Sequence, residues 1–170
     1  MSVPTVLREA READLPAILE IYNQSVPLRM ATADLVPQQL EARVAWFRNR
    51  DRAKRPVIVA EQGGEVVGWG SFTNFKDRAA YAPTAEVSVY VAQSHVGRRI
   101  GWSLLDSLLG LAPRCGIDRI LAICFEHNEP SLRLFRSFGF TTWGTLPDAC
   151  DMDGTRRTIV ILGKSLERAP

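Results

Sequence analysis

Five residues between a valine-rich stretch and a leucine-rich one, Gly97-Arg98-Arg99-Ile100-Gly101, have the types and spacing to hold an anion. The stretch before them, Ala85 to Val91, alternates. Val87, Val89 and Val91 point one way and Glu86, Ser88 and Tyr90 the other, which is the period of a β-strand. From Ile100 onward the apolar residues Leu104, Leu108 and Leu111 recur at helical spacing. A strand that enters a helix through a glycine-bearing turn gathers unpaired helix N–H groups and the positive end of the helix dipole at one place. Arg98 and Arg99 add mobile positive charge there. This chemistry suits a pyrophosphate.

The elements that must position this turn follow from the rest of the chain. Val6 to Arg8 read as a first strand, and Ala13-Asp14-Leu15-Pro16 opens a helix with Leu15, Ile18, Leu19 and Tyr22 as its apolar stripe. Ser25 to Val36 reads as a loop whose Arg29-Met30-Ala31-Thr32 can reach a site or simply connect. Pro37 starts a second helix to about Asp51, with Leu40, Val44 and Phe47 inward and Arg43, Arg48 and Arg50 on a solvated face. Val57 to Glu61 and Val66 to Phe72 form a hairpin around Gly63-Gly64. Asn74 to Pro83 is a polar connector into the valine strand. Ile120 to Phe125 is an almost continuous apolar run, as in a strand buried on both faces, and strand-helix-strand implies a parallel pair. A helix opens at Asn128-Glu129-Pro130-Ser131 with Leu132, Phe135 and Phe138 along it, and Gly139 closes it. Two last strands, Phe140 to Thr145 and Thr158 to Leu162, are joined through Asp148 to Arg157. The expected fold is an α/β mixed sheet of about seven strands and four helices in one domain spanning 1–170.

Composition narrows the function classes. The 170 residues carry 46% hydrophobic and 24% charged positions, an ordinary globular balance, and the net charge of +2 argues against nucleic acid as a partner. No apolar run approaches the roughly 20 residues needed to span a bilayer, and Met1-Ser2-Val3-Pro4-Thr5 lacks a signal-peptide pattern. Cytoplasm is the expected address. Cys115, Cys124 and Cys150 are odd in number and far apart, which excludes a disulfide framework, and Cys124, His127 and Cys150 lack the close ligand spacing of a metal site, so no metal is expected.

The valine strand, the glycine turn into a helix and the later Asn128-Glu129-Pro130-Ser131-x-x-Leu134-Phe135-x-x-x-Gly139-Phe140 resemble the Gcn5-related N-acetyltransferases (GNAT) over nearly the whole chain. Arg78-Ala79-Ala80-Tyr81 before Thr84 to Val91, together with Met152-Asp153-Gly154 near the end, resembles their phosphinothricin and methionine-sulfoximine acetyltransferase branch. The resemblance implies acetyl-coenzyme A as donor and no metal cofactor. It implies that the main chain of Val89, Tyr90 and Val91 pairs with the pantetheine arm, that Gly97, Arg98, Arg99, Ile100 and Gly101 hold the pyrophosphate, and that Trp102 is a further cofactor-binding residue. Asn128 and Ser131 would contact the cofactor near the thioester. A homodimer paired through the C-terminal strands is common among such proteins.

Three positions depart from the family pattern. Val96 stands where a polar side chain usually reaches the phosphates, and Arg99 stands where glycine is usual; Arg99 can serve if its φ is helical. Phe135 stands where many relatives carry a tyrosine proposed as acid to the leaving thiolate, and it reads as a core residue. A thiol of pKa about 8.5 leaves tolerably without that acid.

Transfer to an amine needs a base for the ammonium proton, a positioned thioester and donors for the developing oxyanion. Glu86 is the candidate base, directly or through a water, and a main-chain N–H near Val89 the oxyanion donor. Arg78 is the candidate for bidentate recognition of a substrate carboxylate, with Lys76, Asp77 and Tyr81 beside it and Val87 and Ser88 along the strand. The expected reaction is acetylation of the α-amine of a small amino-acid-like compound. The alternatives are another acceptor (a peptide N-terminus, a polyamine, an aminoglycoside) or a coenzyme A sensor without turnover.

Overall fold

The computed structural model describes residues 3–167; Met1 and Ser2, part of the N-terminal stretch read above, and residues 168–170 lie outside it. One seven-stranded sheet carries the structure, in the order β1-β2-β3-β4-β5-β7-β6. The strands are β1 (Thr5–Glu9), β2 (Val57–Gln62), β3 (Glu65–Asn74), β4 (Thr84–Val91), β5 (Arg119–Phe125), β6 (Thr141–Met152) and β7 (Thr155–Ser165). The helices are α1 (Leu15–Ser25), α2 (Leu40–Arg48), α3 (Ile100–Leu111) and α4 (Glu129–Ser137). All neighbouring strands are antiparallel except β4 and β5, which run parallel as the strand-helix-strand order predicts.

Two cores form on opposite faces of the sheet. On one face, Ile100, Leu104, Leu105 and Leu108 of α3 pack with Phe72, Val87, Ile120 and Leu132. On the other, Leu15, Ile18, Ile21 and Tyr22 of α1 pack with Phe47, Val59 and Trp69. Glycine makes the close approach of α3 to the sheet: a Cβ at Gly68 or Gly70 would lie 3.0 Å or 2.9 Å from Ile100 or Leu108.

Several sequence expectations need correction. In α1 the fully enclosed position is Ile21, and Leu19 is half-buried. The second helix starts at Leu40, which is exposed, and ends at Arg48. Arg43 is no surface cation: it is buried among aromatic rings, its guanidinium 4.6 Å from the centroids of both Tyr22 and Trp46 and 5.4 Å from that of Trp69. Arg50 is half-buried and lies 4.0 Å from the Trp46 centroid. Arg43 and Trp46 lie three residues apart on α2, and Arg50 follows two residues past its end, so cation–π stacking on the Trp46 ring replaces solvent for both arginines. Burial lowers the pKa of both arginines, that of Arg50 to about 10. The last two strands are longer than read. Asp148 to Arg157 is no connector but the distal half of a hairpin that turns at Asp153-Gly154. In β5, Ile123 is exposed and breaks the doubly buried run.

Candidate active site

The site begins where β4 and β5 part. Their pairing stops after three residue pairs, Thr84–Arg119, Ala85–Ile120 and Glu86–Leu121. Arg119 N–H donates to Pro83 C=O on the β5 side, and Ala92 N–H donates to Val67 C=O on the β3 side. By strand alternation, the main-chain groups of Val87, Val89 and Val91 therefore point across the gap. The gap opens into a cleft of about 240 Å³ lined by both strands, by α4 and by Met30, Ala31, Thr32 and Ala33 of the segment after α1. That segment does reach the site.

Glu86 stands at the vertex of this fork, the last β4 residue paired on both sides, opposite Thr73 and Leu121. Burial pushes its carboxyl pKa up, and no cation pairs with it among the described residues. Ser88, Val87, Val89 and Tyr90 line the same cleft. Tyr90 stacks on Trp69 at 4.8 Å, and burial raises its pKa. Cys124, on the β5 wall, is held protonated by burial with its pKa near 12, so it is no thiolate nucleophile at neutral pH.

The segment carrying Met30 to Ala33 is fastened at several points. Tyr22 O–H donates to Asp34 Oδ2 at 2.5 Å and lies 2.6 Å from Thr32 Oγ1. His127 Nε2 lies 3.0 Å from the Arg29 carbonyl, and Asn128 Nδ2 donates to the Met30 carbonyl at 2.9 Å. Arg29 itself pairs with Asp153 at 2.5 Å. His127 is thus a loop residue held by a hydrogen bond. Asn128 is also the N-cap of α4, its Oδ1 accepting from the Ser131 N–H at 3.3 Å. Phe135 is buried against Phe140 while its edge lines the cleft.

The turn between β4 and α3 lies at the far end of the open strand edge. Gly97 has φ 82° with no atom within 4 Å of where a Cβ would stand. Arg99, the N-cap of α3, has φ 61° and ψ 13°. It is left-handed, not helical, which corrects the condition set for it above. Alternation of left-handed residues with ordinary ones turns successive N–H groups toward one concavity, a shape that binds anions. Gly101 faces Leu134 and Val91, and a Cβ there would make ordinary contact with both at 3.6 Å. An open strand edge running from a carboxylate to an anion-seating helix start fits an extended acyl-thioester nucleotide such as acetyl-CoA.

The connector residues behave differently. Lys76, Asp77, Arg78 and Tyr81 are all exposed and none lines the cleft. Tyr81 packs on Phe75 at 5.7 Å, Asp77 accepts from Asn74 Nδ2 at 3.2 Å, and Arg78 caps the 3-10 turn Ala79–Tyr81. Sequence reasoning left out Ala33, Cys124 and Ile159 as cleft residues; they are uncharged, and only the fold brings them together.

Residues 15–140 match the model of the acetyltransferase (GNAT) family. The chain belongs to the GNAT family. Among its relatives, YwnH of Bacillus subtilis (strain 168) is 44% identical over 94% of this chain and 98% of its own. The L-methionine sulfoximine/L-methionine sulfone acetyltransferase of Salmonella typhimurium (strain LT2) is 36% identical over 83% of this chain and 82% of its own. A crystal structure of a phosphinothricin acetyltransferase from Sinorhizobium meliloti in complex with AcCoA superposes with a TM-score of 0.90 at 28% identity, covering 95% of this chain and 88% of that one. This GNAT protein is accordingly an acetyltransferase.

Proposed function

We propose that this enzyme transfers an acetyl group from acetyl-CoA to the α-amine of a small amino-acid-like substrate of the methionine sulfoximine, methionine sulfone or phosphinothricin type, in the cytoplasm. Glu86 carries the assignment: it is a desolvated, unpaired carboxylate at the vertex of a strand fork. Bound acetyl-CoA supplies an activated thioester. Glu86 takes the proton from the substrate ammonium, directly or through a water, so that the amine attacks uncharged. The N–H of Val89, aimed across the gap, donates to the carbonyl oxygen as charge grows on it. Val87, Val89 and Val91 hold the pantetheine arm as an added strand, and Gly97 to Gly101 hold the pyrophosphate. The protonated state of Cys124 supports direct transfer over a cysteine-bound acyl group.

Arg78, with Lys76 and Tyr81, is assigned to the substrate carboxylate. It lies on the connector that leads into β4, eight residues before Glu86. We also infer a homodimer. Ile123, Trp143 and Leu146 are exposed at 41%, 47% and 47% on β5 and the edge strand β6, an apolar surface that a second copy can cover.

Thiol release from acetyl-CoA tests the assignment, with methionine sulfoximine, methionine sulfone and phosphinothricin set against polyamines, peptides and aminoglycosides. Turnover on the first group, with KM raised in Arg78→Ala, is expected. Release only with the second group overturns the acceptor, and silence with coenzyme A still bound overturns catalysis. Sedimentation of wild type beside Trp143→Lys tests the dimer.

A further inference from the structure

Trp102 lies in the first turn of α3, directly after the anion seat, and is 39% exposed. Its ring stands 5.1 Å from that of Phe138 at the end of α4, tilted by 40°. The Arg99 guanidinium sits 5.4 Å from the Trp102 centroid. Asn128, Ser131 and Leu134 line the cleft from α4, and Phe138 is the next step of the same three-to-four-residue spacing. A ligand that follows the β4 edge from Glu86 to the start of α3 thus leaves the cleft beside an exposed indole backed by a second ring.

One position of the turn gives a phosphate no side-chain donor. Val96 offers none and is 62% exposed, and Arg99 spends part of its charge on the indole. We propose that Trp102, backed by Phe138 and flanked by Arg99, is a stacking platform for the purine base at the nucleotide end of the donor, supplying affinity that Val96 does not. This rests on acetyl-CoA being the donor. A π-face recognises a base without needing a matched set of hydrogen bonds, and a guanidinium beside it suits a phosphorylated nucleoside. The platform makes the enzyme favour an acyl donor that carries a nucleotide over one that ends at phosphopantetheine.

Calorimetric titration with coenzyme A and with 4′-phosphopantetheine separates the base from the arm. Wild type is expected to bind coenzyme A at least about tenfold more tightly. Trp102→Ala should lose about tenfold for coenzyme A and less than about twofold for 4′-phosphopantetheine, while Trp102→Phe keeps most of the difference. Equal losses for both ligands, or no loss for coenzyme A, would overturn the platform. Failure of wild type to bind either ligand would overturn the donor assignment along with it.

Discussion

Asn128 and Met30 are 98 residues apart in sequence and joined by one hydrogen bond, from Asn128 Nδ2 to the Met30 carbonyl at 2.9 Å. The other end of the same amide caps α4. One side chain therefore starts the helix along the cofactor side and fixes the wall on the opposite side of the cleft. It retains one N–H and one lone pair for a ligand.

Asn128→Ala removes both bonds. The lost cap costs about 1 kcal/mol and the unpaired carbonyl about 1–3 kcal/mol, so urea unfolding should show a loss of roughly 2–4 kcal/mol. Asn128→Asp keeps the cap acceptor and loses the donor to Met30. Its stability should fall less, and KM for the amine should rise more than KM for acetyl-CoA. A rise confined to acetyl-CoA would show that Asn128 serves the donor alone.

Glu86→Gln should lower kcat by roughly 10²–10⁴, the usual contribution of a positioned base. Because burial raises the Glu86 pKa, the wild-type rate should rise with pH along an acidic limb displaced above the ordinary carboxylate range, and the variant should lack that limb. Stability should move the other way. A carboxyl whose folded pKa is raised is favourable to the fold below its unfolded pKa, and that advantage is lost as pH rises through the folded value. At neutral pH the ionised Glu86 weighs against folding, so Glu86→Gln should have the higher Tm, with the gap closing as pH falls. Thermal melts across pH 4–8 check the sign.

Arg99 holds φ 61° without the freedom of glycine. A non-glycine residue in that region costs about 1–2 kcal/mol, partly offset by the unfolded-state entropy that glycine adds. Arg99→Gly should be more stable than wild type by about 0.5–1 kcal/mol, and Arg99→Val less stable. Denaturant midpoints decide it.

Arg43 is 4% exposed, and its Nε has no partner among the described residues. Its Nη2 donates to Gln38 Oε1 at 2.6 Å, and three rings surround it. Arg43→Met fills the same slot without a charge to desolvate and should stay within about 1 kcal/mol of wild type. Arg43→Ala leaves a cavity among Tyr22, Trp46 and Trp69 and should cost about 2–4 kcal/mol. Equal losses in the two variants would mean that the charge, not the volume, holds the aromatic layer.

The sequence carried much of this in particular places. The Val87-x-Val89-x-Val91 alternation and the switch to helical spacing at Ile100 located β4, the turn and α3, because both periods are local. The parallel β4–β5 pair followed from connection rules. Arg43 was misplaced because a polarity pattern assigns cations to water and cannot see three aromatic rings arriving from α1, α2 and β3. The hairpin of β6 and β7 was underestimated because its distal half, Pro147 to Arg157, is mostly polar and exposed and gives no apolar rhythm. The condition set for Arg99, a helical φ, is not met, because the conformation of a helix cap is set by the entering chain, not by propensity. Met30 to Ala33 became a cleft wall through Tyr22, His127, Asn128 and Asp153, which are contacts that no local pattern encodes.

The three paired positions between β4 and β5 also make a mechanical statement. The sheet is two panels, β1 to β4 and β5 with β7 and β6, sewn together at one end and open at the other. A donor seated along Val87 to Val91 adds the missing stitches, so the panels are expected to swing more freely before it binds than after. The ligand then acts as part of the scaffold for as long as it stays. Slow amide exchange at Val87, Val89 and Val91 in the loaded enzyme alone would be the trace of that stiffening.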